Sequence, residues 1–263
     1  MTWVPLTGRD AHLEALDFGG EGPAVLLLHG LAGTAAEWED TAAWLTESHH
    51  VIALDQRGHG RSERRPRDVS RAAFVADAVA VVEQLALAPV ILIGQSLGGL
   101  TALLVAAERA DLVRALVVAE ASPAAAEPGS AEKIRDLLSA WPLPFASPQA
   151  AFDFFGGDTP AARAWARNLE EADDGLRPSF DVDVMVETLA AAAGPYWHEW
   201  RAIEAPTLVV LGEEGELSAD VAAEMLRGLP ATEIVTIPGG HDVHLDASDA
   251  WRAAVERFLD SLS

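Results

Sequence analysis

Ser96 is the residue of this chain best placed to act as a nucleophile. It lies in a G-x-S-x-G pattern, residues 94–98, where a continuous apolar run ends and a stretch with helical spacing begins. A tight turn between a buried strand and a helix needs glycines, because larger side chains would collide there. Such a turn would project the hydroxyl above the sheet, at the positive end of the helix. The alternative is an ordinary surface serine in a strand–helix loop, and the context of the pattern favours the nucleophile.

Three glutamates form a second group of chemically useful residues. Glu213, Glu214 and Glu216 surround Gly215, directly after the apolar run 208–211. A carboxylate at the end of a strand can orient a catalytic histidine. The same residues could instead form a solvated acidic loop that leads into a helix.

Apolar runs alternate with stretches of helical spacing along most of the chain. The runs are apolar throughout, which is typical of parallel strands buried on both faces. An opening hairpin is predicted around residues 8–10. Further strands are predicted at 24–30, 50–55, 90–96, 114–120, 207–213 and 232–238, and helices at 35–46, 71–87, 97–109, 218–229 and 248–262. This alternation predicts an α/β fold with a doubly wound, mostly parallel sheet.

Residues 122–200 interrupt the alternation. They show several helix-like segments, no convincing strand, and ten of the chain's 17 aromatic residues. We predict a helical cap inserted at 122–200, over the C-terminal edge of a sheet formed by 1–121 and 201–263. The aromatic residues could form the core of the cap or the roof of an apolar pocket. As a roof, we expect Trp141, Phe145 and Trp197 to contact substrate.

Composition limits the possible partners. The net charge is −23, from 41 acidic and 18 basic residues, and a surface so negative repels nucleic acid and anionic membranes. The chain has no cysteine, no apolar segment of membrane-spanning length and no signal-peptide pattern at its N-terminus. We therefore expect a soluble, cytoplasmic protein, monomeric or homodimeric, whose partner is a small-molecule substrate.

Four motifs, in this order along the chain, resemble those of the α/β-hydrolase family. LLLHGLAG (26–33) resembles its His-Gly oxyanion loop, ALDQRGHGRS (53–62) its loop after the fourth strand, GQSLG (94–98) its nucleophile elbow, and IPGGHDVHLD (237–246) its histidine loop. The resemblance covers nearly the whole chain. It implies the α/β-hydrolase fold, with an eight-stranded sheet and an inserted cap, and the esterase- or lactonase-like branch that uses a serine nucleophile without a cofactor.

The resemblance also assigns roles. Ser96 would attack a carbonyl carbon while His241 accepts its proton, because a serine hydroxyl is a weak nucleophile without a base. The backbone N–H groups of Leu31 and Leu97 would stabilise the oxyanion.

The other histidines are expected to have different roles. His244 lies close to His241 and could suggest a metal site, but no third ligand occurs in a matching motif, so we predict no metal. His29 and His59 are expected to order their loops.

The acid of the triad has two candidate positions. The family usually places it after the seventh strand, in a Gly-x-x-Asp pattern, and here that position falls on Gly215. Some branches place it at the end of the sixth strand, where this chain has Glu120. We predict Glu120, with a carboxylate oxygen within about 3.2 Å of His241 Nδ1, and keep Glu214 as the reserve acid. The alternative is that Glu120 only anchors the start of the cap.

These residues predict a serine hydrolase that cleaves an ester or lactone of a small, largely apolar substrate through an acyl-enzyme. Carbon–carbon bond hydrolysis, amide hydrolysis and perhydrolysis on the same triad remain open. A non-catalytic ligand receptor of the same fold remains open as well, because a fold does not determine a function.

Overall fold

A computed structural model describes residues 1–157 and 159–262 of the chain. Its strands are β1 (Thr2–Thr7), β2 (His12–Gly19), β3 (Ala24–Leu28), β4 (His50–Asp55), β5 (Val90–Gln95), β6 (Val113–Ala119), β7 (Leu169–Ala172), β8 (Gly175–Pro178), β9 (Thr207–Gly212) and β10 (Glu233–Ile237). Its α-helices are α1 (Glu39–Leu45), α2 (Arg71–Gln84), α3 (Ser96–Glu108), α4 (Ser130–Ser139), α5 (Pro148–Phe154), α6 (Pro160–Arg167), α7 (Val182–Ala191), α8 (Trp197–Arg201), α9 (Ala219–Gly228), α10 (Val243–Asp246) and α11 (Ser248–Asp260). Short 3₁₀ helices cover Ala35–Trp38 and Ala110–Leu112.

Eight strands form one twisted sheet in the order β1-β2-β4-β3-β5-β6-β9-β10. The first hairpin is antiparallel and pairs antiparallel to β4, and all other neighbours are parallel. The prediction of an eight-stranded, mostly parallel sheet is therefore confirmed. Because the parallel strands all end at one edge, the loops that follow β3, β5, β6, β9 and β10 meet there.

Alternate side chains of the central strands pack into two separate cores, one on each face of the sheet. In β5, Val90 and Leu92 join the core beneath α2 and α3, whereas Ile91 and Ile93 join the opposite core with α1 and α11. All four are almost fully buried. This burial on both faces explains why the strand is apolar throughout.

The interval 122–200 contains a hairpin that the sequence analysis missed. Strands β7 and β8 pair antiparallel, from Leu169 opposite Pro178 to Ala172 opposite Gly175. The expectation of no strand in this interval is therefore wrong. Most of these side chains are at least partly exposed and several are polar, so the hairpin lacks the apolar pattern of a buried strand. Its stability depends on backbone pairing, including a bridge between Leu176 and Phe145.

Helix α8 crosses the predicted end of the cap at residue 200. Trp200 is fully buried in the core beneath α3, and its indole N–H donates to the carbonyl oxygen of Met225, 2.9 Å away. The cap boundaries otherwise stay a prediction. Among the described residues, no helix is long and apolar enough to cross a membrane.

A buried ion pair fixes the loop between β4 and α2. The Arg57 side chain is fully buried, and its Nε and Nη2 donate to the two carboxylate oxygens of Asp77, at 2.6 and 2.7 Å. Nη1 also binds a carboxylate oxygen of Asp10 at 3.0 Å. A bidentate pair of this kind combines charge with geometric specificity. It holds the segment that follows β4 against α2, the helix that carries Asp77.

Asp77→Ala should lower the free energy of unfolding by about 3–5 kcal/mol, because it leaves most of the Arg57 charge buried without its bidentate partner. Chemical denaturation followed by circular dichroism measures this. The matched control is Asp111→Ala, which removes an exposed carboxylate from Arg109 and should change stability far less. Equal losses in the two variants would contradict a structural role for the buried pair.

Candidate active site

Ser96 lies in a strained turn at the centre of the sheet's C-terminal edge. It is the first residue of α3, and its φ of +50° is left-handed, which is uncommon outside glycine. The turn is also tightly packed: a Cβ on Gly94 would lie 2.3 Å from the carbonyl oxygen of Gly98, and one on Gly98 would lie 2.1 Å from that of Leu28. Both positions therefore require glycine. The half-buried Ser96 side chain stands where the sequence analysis expected the nucleophile.

The loop after β3 approaches this turn. A Cβ on Gly30 would lie 3.4 Å from Ser96 Cβ, so the backbone that leads into Leu31 passes directly beside the serine. Leu97 is in the first turn of α3, where backbone N–H groups have no acceptor within the helix. The structure thus brings both predicted oxyanion donors to the vicinity of Ser96.

His29 orders the loop after β3. Its Nε2 accepts the backbone N–H of Gln56 at 3.0 Å, so the ring proton is on Nδ1, which donates to the carbonyl oxygen of Gly30 at 2.7 Å. Burial lowers the pKa of His29 well below its usual value, and the neighbouring His59 lowers it further. The ring is therefore neutral, which suits a loop-ordering residue.

His241 occupies the turn between β10 and α10, and the residue before Ser96 anchors this turn. The side-chain amide of Gln95 donates to the His241 carbonyl oxygen at 2.9 Å and to a carboxylate oxygen of Asp242 at 3.3 Å. The other Asp242 oxygen accepts the Trp165 indole N–H at 3.2 Å. Sequence reasoning missed Gln95, although a polar residue at the end of an otherwise apolar strand was a usable signal.

Glu120 is buried where β6 ends, with 2% of its surface exposed and a left-handed φ of +46°. Its Oε1 accepts the backbone N–H of Gly212 and its Oε2 that of Glu216, both at 2.8 Å. A Cβ on Gly215 would lie 2.2 Å from Oε1, so glycine is required there for the carboxylate to fit. Two backbone amides thus replace the water that a buried carboxylate loses.

Two carboxylates approach the His241 ring. Nδ1 lies 3.6 Å from Glu120 Oε2 and 3.7 Å from Glu216 Oε2. The first distance exceeds the 3.2 Å expected from the sequence, and Nδ1 has no hydrogen-bond partner among the described residues. Glu120 is buried, whereas the Glu216 side chain is 76% exposed. Glu214, the reserve acid, is exposed and shows no contact with His241.

The charges around His241 decide its protonation. Burial alone would lower the pKa of His241, but the adjacent Glu120 carboxylate and the charges of Glu216 and Asp242 outweigh burial and raise the pKa above its usual value. The ring therefore accepts a proton more readily than an isolated imidazole. That is the property a general base needs.

A narrow crevice, partly open to solvent, lies beside the oxyanion loop. Its polar lining comes from Glu37, Gln95, Asn168 and Asp242, and the ring of Trp165 borders it. Two of these four polar residues are acidic, so the crevice disfavours anions.

The three predicted pocket aromatics lie in two different clusters. Trp141 and Phe145 belong to one that also contains Phe155, Trp165 and Phe180 and that packs against Ala32 and Leu31 of the oxyanion loop. Trp197 instead packs on the core beneath α3, where the guanidinium of Arg201 lies over its ring. The structure therefore brings Trp141 and Phe145 together near the site and leaves Trp197 apart from them.

His244 lies beneath the site rather than in it. It is 2% exposed, its ring packs against those of Trp38 and Trp251, which also contact each other, and its Nε2 is 3.4 Å from a carboxylate oxygen of Glu37. Within the described residues, no group of three or more potential ligands is arranged to hold a metal ion.

Residues 23–248 match the family model of the α/β hydrolase fold, and the chain belongs to this family. It is 28% identical to 2-(acetamidomethylene)succinate hydrolase of Mesorhizobium japonicum over 250 residues, covering 92% of this chain and 90% of the relative. It is 30% identical to an sn-1-specific diacylglycerol lipase of Mus musculus over 250 residues, covering 90% of this chain and 81% of the lipase. These relatives support hydrolase activity for the chain.

A solved structure shows the same fold over 98% of the chain. The crystal structure of E-2-(acetamidomethylene)succinate hydrolase superposes with a TM-score of 0.88 at 27% identity, covering 98% of this chain and 100% of the other. A thioesterase domain from the curacin biosynthetic pathway superposes with a TM-score of 0.81 at 23% identity, covering 97% and 99% of the two chains. The second likeness shows the fold alone.

Glu120→Gln should lower the pKa of His241, because it removes a buried negative charge that favours the protonated imidazole. An NMR titration of the His241 ring measures the change. The matched control is Glu214→Gln, which removes an equal charge from the same edge of the sheet and should leave the pKa nearly unchanged. If both variants shift the pKa equally, general surface charge rather than Glu120 sets it.

Proposed function

We propose that this chain is a serine hydrolase that cleaves an ester or lactone of a small, largely apolar substrate through an acyl-enzyme. The observation that supports this best is the left-handed Ser96, which begins α3 beside the Gly30 backbone that leads into Leu31. A non-glycine residue in this conformation costs about 1–3 kcal/mol, and such strain is concentrated at functional sites. The adjoining Gln95 ties the histidine loop to the same turn.

The proposed mechanism assigns each residue one task. Ser96 Oγ attacks the carbonyl carbon while His241 takes its proton through Nε2, since Nδ1 faces the carboxylates. The N–H groups of Leu31 and Leu97 stabilise the oxyanion. His241 then protonates the leaving group, and a water molecule attacks the acyl-enzyme by the same steps in reverse.

Glu120 is proposed as the acid of the triad, in preference to Glu216 and Glu214. Its carboxylate is buried and fixed by two backbone hydrogen bonds, so its charge acts on His241 with little solvent screening. Glu216 lies as close to the ring but is exposed, and solvent weakens its effect. The 3.6 Å separation from Nδ1 needs a small tightening when substrate binds, as catalytic hydrogen bonds in free enzymes often do.

Amide hydrolysis is the second candidate function. The relatives named for acetamido- and N-methylformamido-substituted methylenesuccinates support amide hydrolysis. The mouse lipase, and a relative named as an esterase in Mycobacterium tuberculosis, support ester hydrolysis. Matched ester and amide substrates with the same acyl group distinguish the two. Faster turnover of the amide than of the ester would make amide hydrolysis the function, with the same triad.

Ser96→Ala should abolish hydrolysis, with a loss of several orders of magnitude, because losing a triad nucleophile removes the covalent route. Turnover of a 4-nitrophenyl ester measures the loss, and circular dichroism should show an intact fold. Labelling by a fluorophosphonate should disappear in the same variant. Turnover within tenfold of the unmodified protein would rule out the covalent mechanism, and an unlabelled, inactive native protein would favour the ligand receptor.

Glu120→Gln should lower kcat by roughly 10²- to 10⁴-fold, since it keeps the side-chain shape and removes the charge that stabilises protonated His241. Glu214→Gln should cost less than about tenfold, or about 1.4 kcal/mol of transition-state stabilisation. Steady-state kinetics on one ester measures both. The acid-side limb of the kcat/KM profile should also move to lower pH in Glu120→Gln, because His241 then loses its proton at lower pH. A larger kcat loss in Glu214→Gln or Glu216→Gln would assign the acid to that residue.

A further inference from the structure

The predicted cap places one buried amide side chain against the oxyanion loop. Asn168 ends α6, directly before β7, and is 3% exposed. Its backbone N–H donates to the carbonyl oxygen of Trp165 at 3.2 Å, and its carbonyl oxygen accepts the N–H of Ser179 at 3.1 Å. The backbone of the interval 122–200 therefore fixes this residue from both sides, independently of the loops that carry Ser96 and His241.

Both polar ends of the Asn168 side chain bind the oxyanion loop. Its Oδ1 accepts the hydroxyl proton of Thr34 at 2.6 Å, and its Nδ2 donates to the carbonyl oxygen of Ala32 at 3.4 Å. A backbone carbonyl can only accept, so the amide nitrogen has to face Ala32 and the amide oxygen has to face the hydroxyl. Thr34 and Ala32 are themselves buried, so the two bonds form away from competing solvent.

The Ala32 carbonyl belongs to a strained turn. Ala32 has a left-handed φ of +64°, and the N–H of Gly33 donates to the carbonyl oxygen of Gly30 at 3.2 Å, which closes a four-residue turn. The ring of His29 donates to the same Gly30 oxygen at 2.7 Å. A left-handed conformation in a residue other than glycine persists only where its surroundings hold it, and Asn168 supplies a contact from outside the loop.

The turn connects Asn168 to the proposed oxyanion donor. The peptide unit Ala32–Gly33 accepts from Asn168 at its carbonyl end and donates to Gly30 at its N–H end. The Gly30 carbonyl is part of the same peptide unit as the Leu31 N–H. Because that unit is planar and trans, the direction of the carbonyl sets the direction of the N–H. Asn168 thus acts on the Leu31 N–H through one hydrogen bond and two rigid peptide units.

We propose that Asn168 is a positioning residue for the oxyanion hole. Its amide, which comes from the predicted cap, holds the turn at residues 30–33 so that the Leu31 N–H points at the developing oxyanion. An oxyanion donor is effective only when its direction is fixed before the reaction. This inference rests on the proposed function, and it gives the interval 122–200 a part in transition-state stabilisation besides any contact with substrate.

Asn168→Leu should lower kcat for 4-nitrophenyl butyrate about 10- to 100-fold and change KM far less, because a displaced oxyanion donor is missed mainly in the transition state. Steady-state kinetics measures both. The acid-side limb of the kcat/KM profile should stay in place, since the carboxylates around His241 are unchanged. Inhibition by propylboronic acid, which forms a tetrahedral adduct with a catalytic serine, should weaken by a similar factor. Inhibition by the product, butyrate, should not.

Two further variants separate positioning from general loosening of the cap. Arg64→Met removes bonds to the carbonyl oxygens of Pro178 and Phe180, so it loosens the same region without touching the oxyanion loop, and kcat should stay within about twofold. Thr34→Val removes one of the two Asn168 bonds and should lower kcat about three- to tenfold. Added to Asn168→Leu, Thr34→Val should lower kcat little further, because the hydroxyl acts through Asn168.

Hydrogen exchange tests the positioning without turnover. Exchange in residues 29–37, followed by mass spectrometry, should be faster in Asn168→Leu than in the unmodified protein and unchanged in Arg64→Met. If the unmodified protein cleaves no ester, the proposed function fails, and the exchange result still decides whether Asn168 holds the turn. If Asn168→Leu does not fold by circular dichroism, Thr34→Val carries the same kinetic and exchange tests.

Three results would each overturn the proposal. One is a kcat within about threefold of the unmodified protein in a folded Asn168→Leu. The second is an equal kcat loss in Arg64→Met, which would assign the effect to the cap as a whole. The third is unchanged exchange in residues 29–37.

Discussion

The carboxylate of Glu120 connects the three loops on which the candidate site depends. Burying this charge is tolerable only because the N–H groups of Gly212 and Glu216 bind its two oxygens. Those bonds fix the segment after β9, which in turn donates from its own backbone to the carbonyl oxygens of Ile237 and Gly239. The turn that carries the histidine therefore starts from a segment that Glu120 holds in place.

In this arrangement the glutamates after β9 act mainly through their backbone. Their backbone N–H groups, rather than their carboxylates, make most of the contacts that matter: Glu213 and Glu214 bind the strand before the histidine, and Glu216 binds Glu120. Their side chains are exposed. Gly215 is fixed between them because a Cβ would collide with the Glu120 carboxylate. The family pattern places the acid at position 215. In this chain Gly215 occupies that position and leaves space for the carboxylate of Glu120.

Neighbouring strands place the proposed nucleophile Ser96 and the buried carboxylate of Glu120 side by side. In the register of β5 and β6, Gln95 pairs with Ala119, so Ser96 and Glu120 are the next residues of adjacent parallel strands. Both have left-handed backbones, with φ of +50° and +46°. At both residues the backbone turns away from the direction of the strand that precedes it. The two strained residues thus mark the same edge of the sheet.

Most of the fold was predictable because its signals are local. Fully apolar strands and helical spacing indicated the sheet and five helices to within a few residues, and the glycines around Ser96 indicated the turn. The β7–β8 hairpin was missed because its strands are short and their side chains lack the apolar pattern of a buried strand. Trp197 was grouped with Trp141 and Phe145 because aromatic content does not reveal which core a side chain joins. Gln95 was missed because the polar residue that ends its apolar strand does not reveal, from the local pattern, that its amide reaches His241, which is distant in sequence.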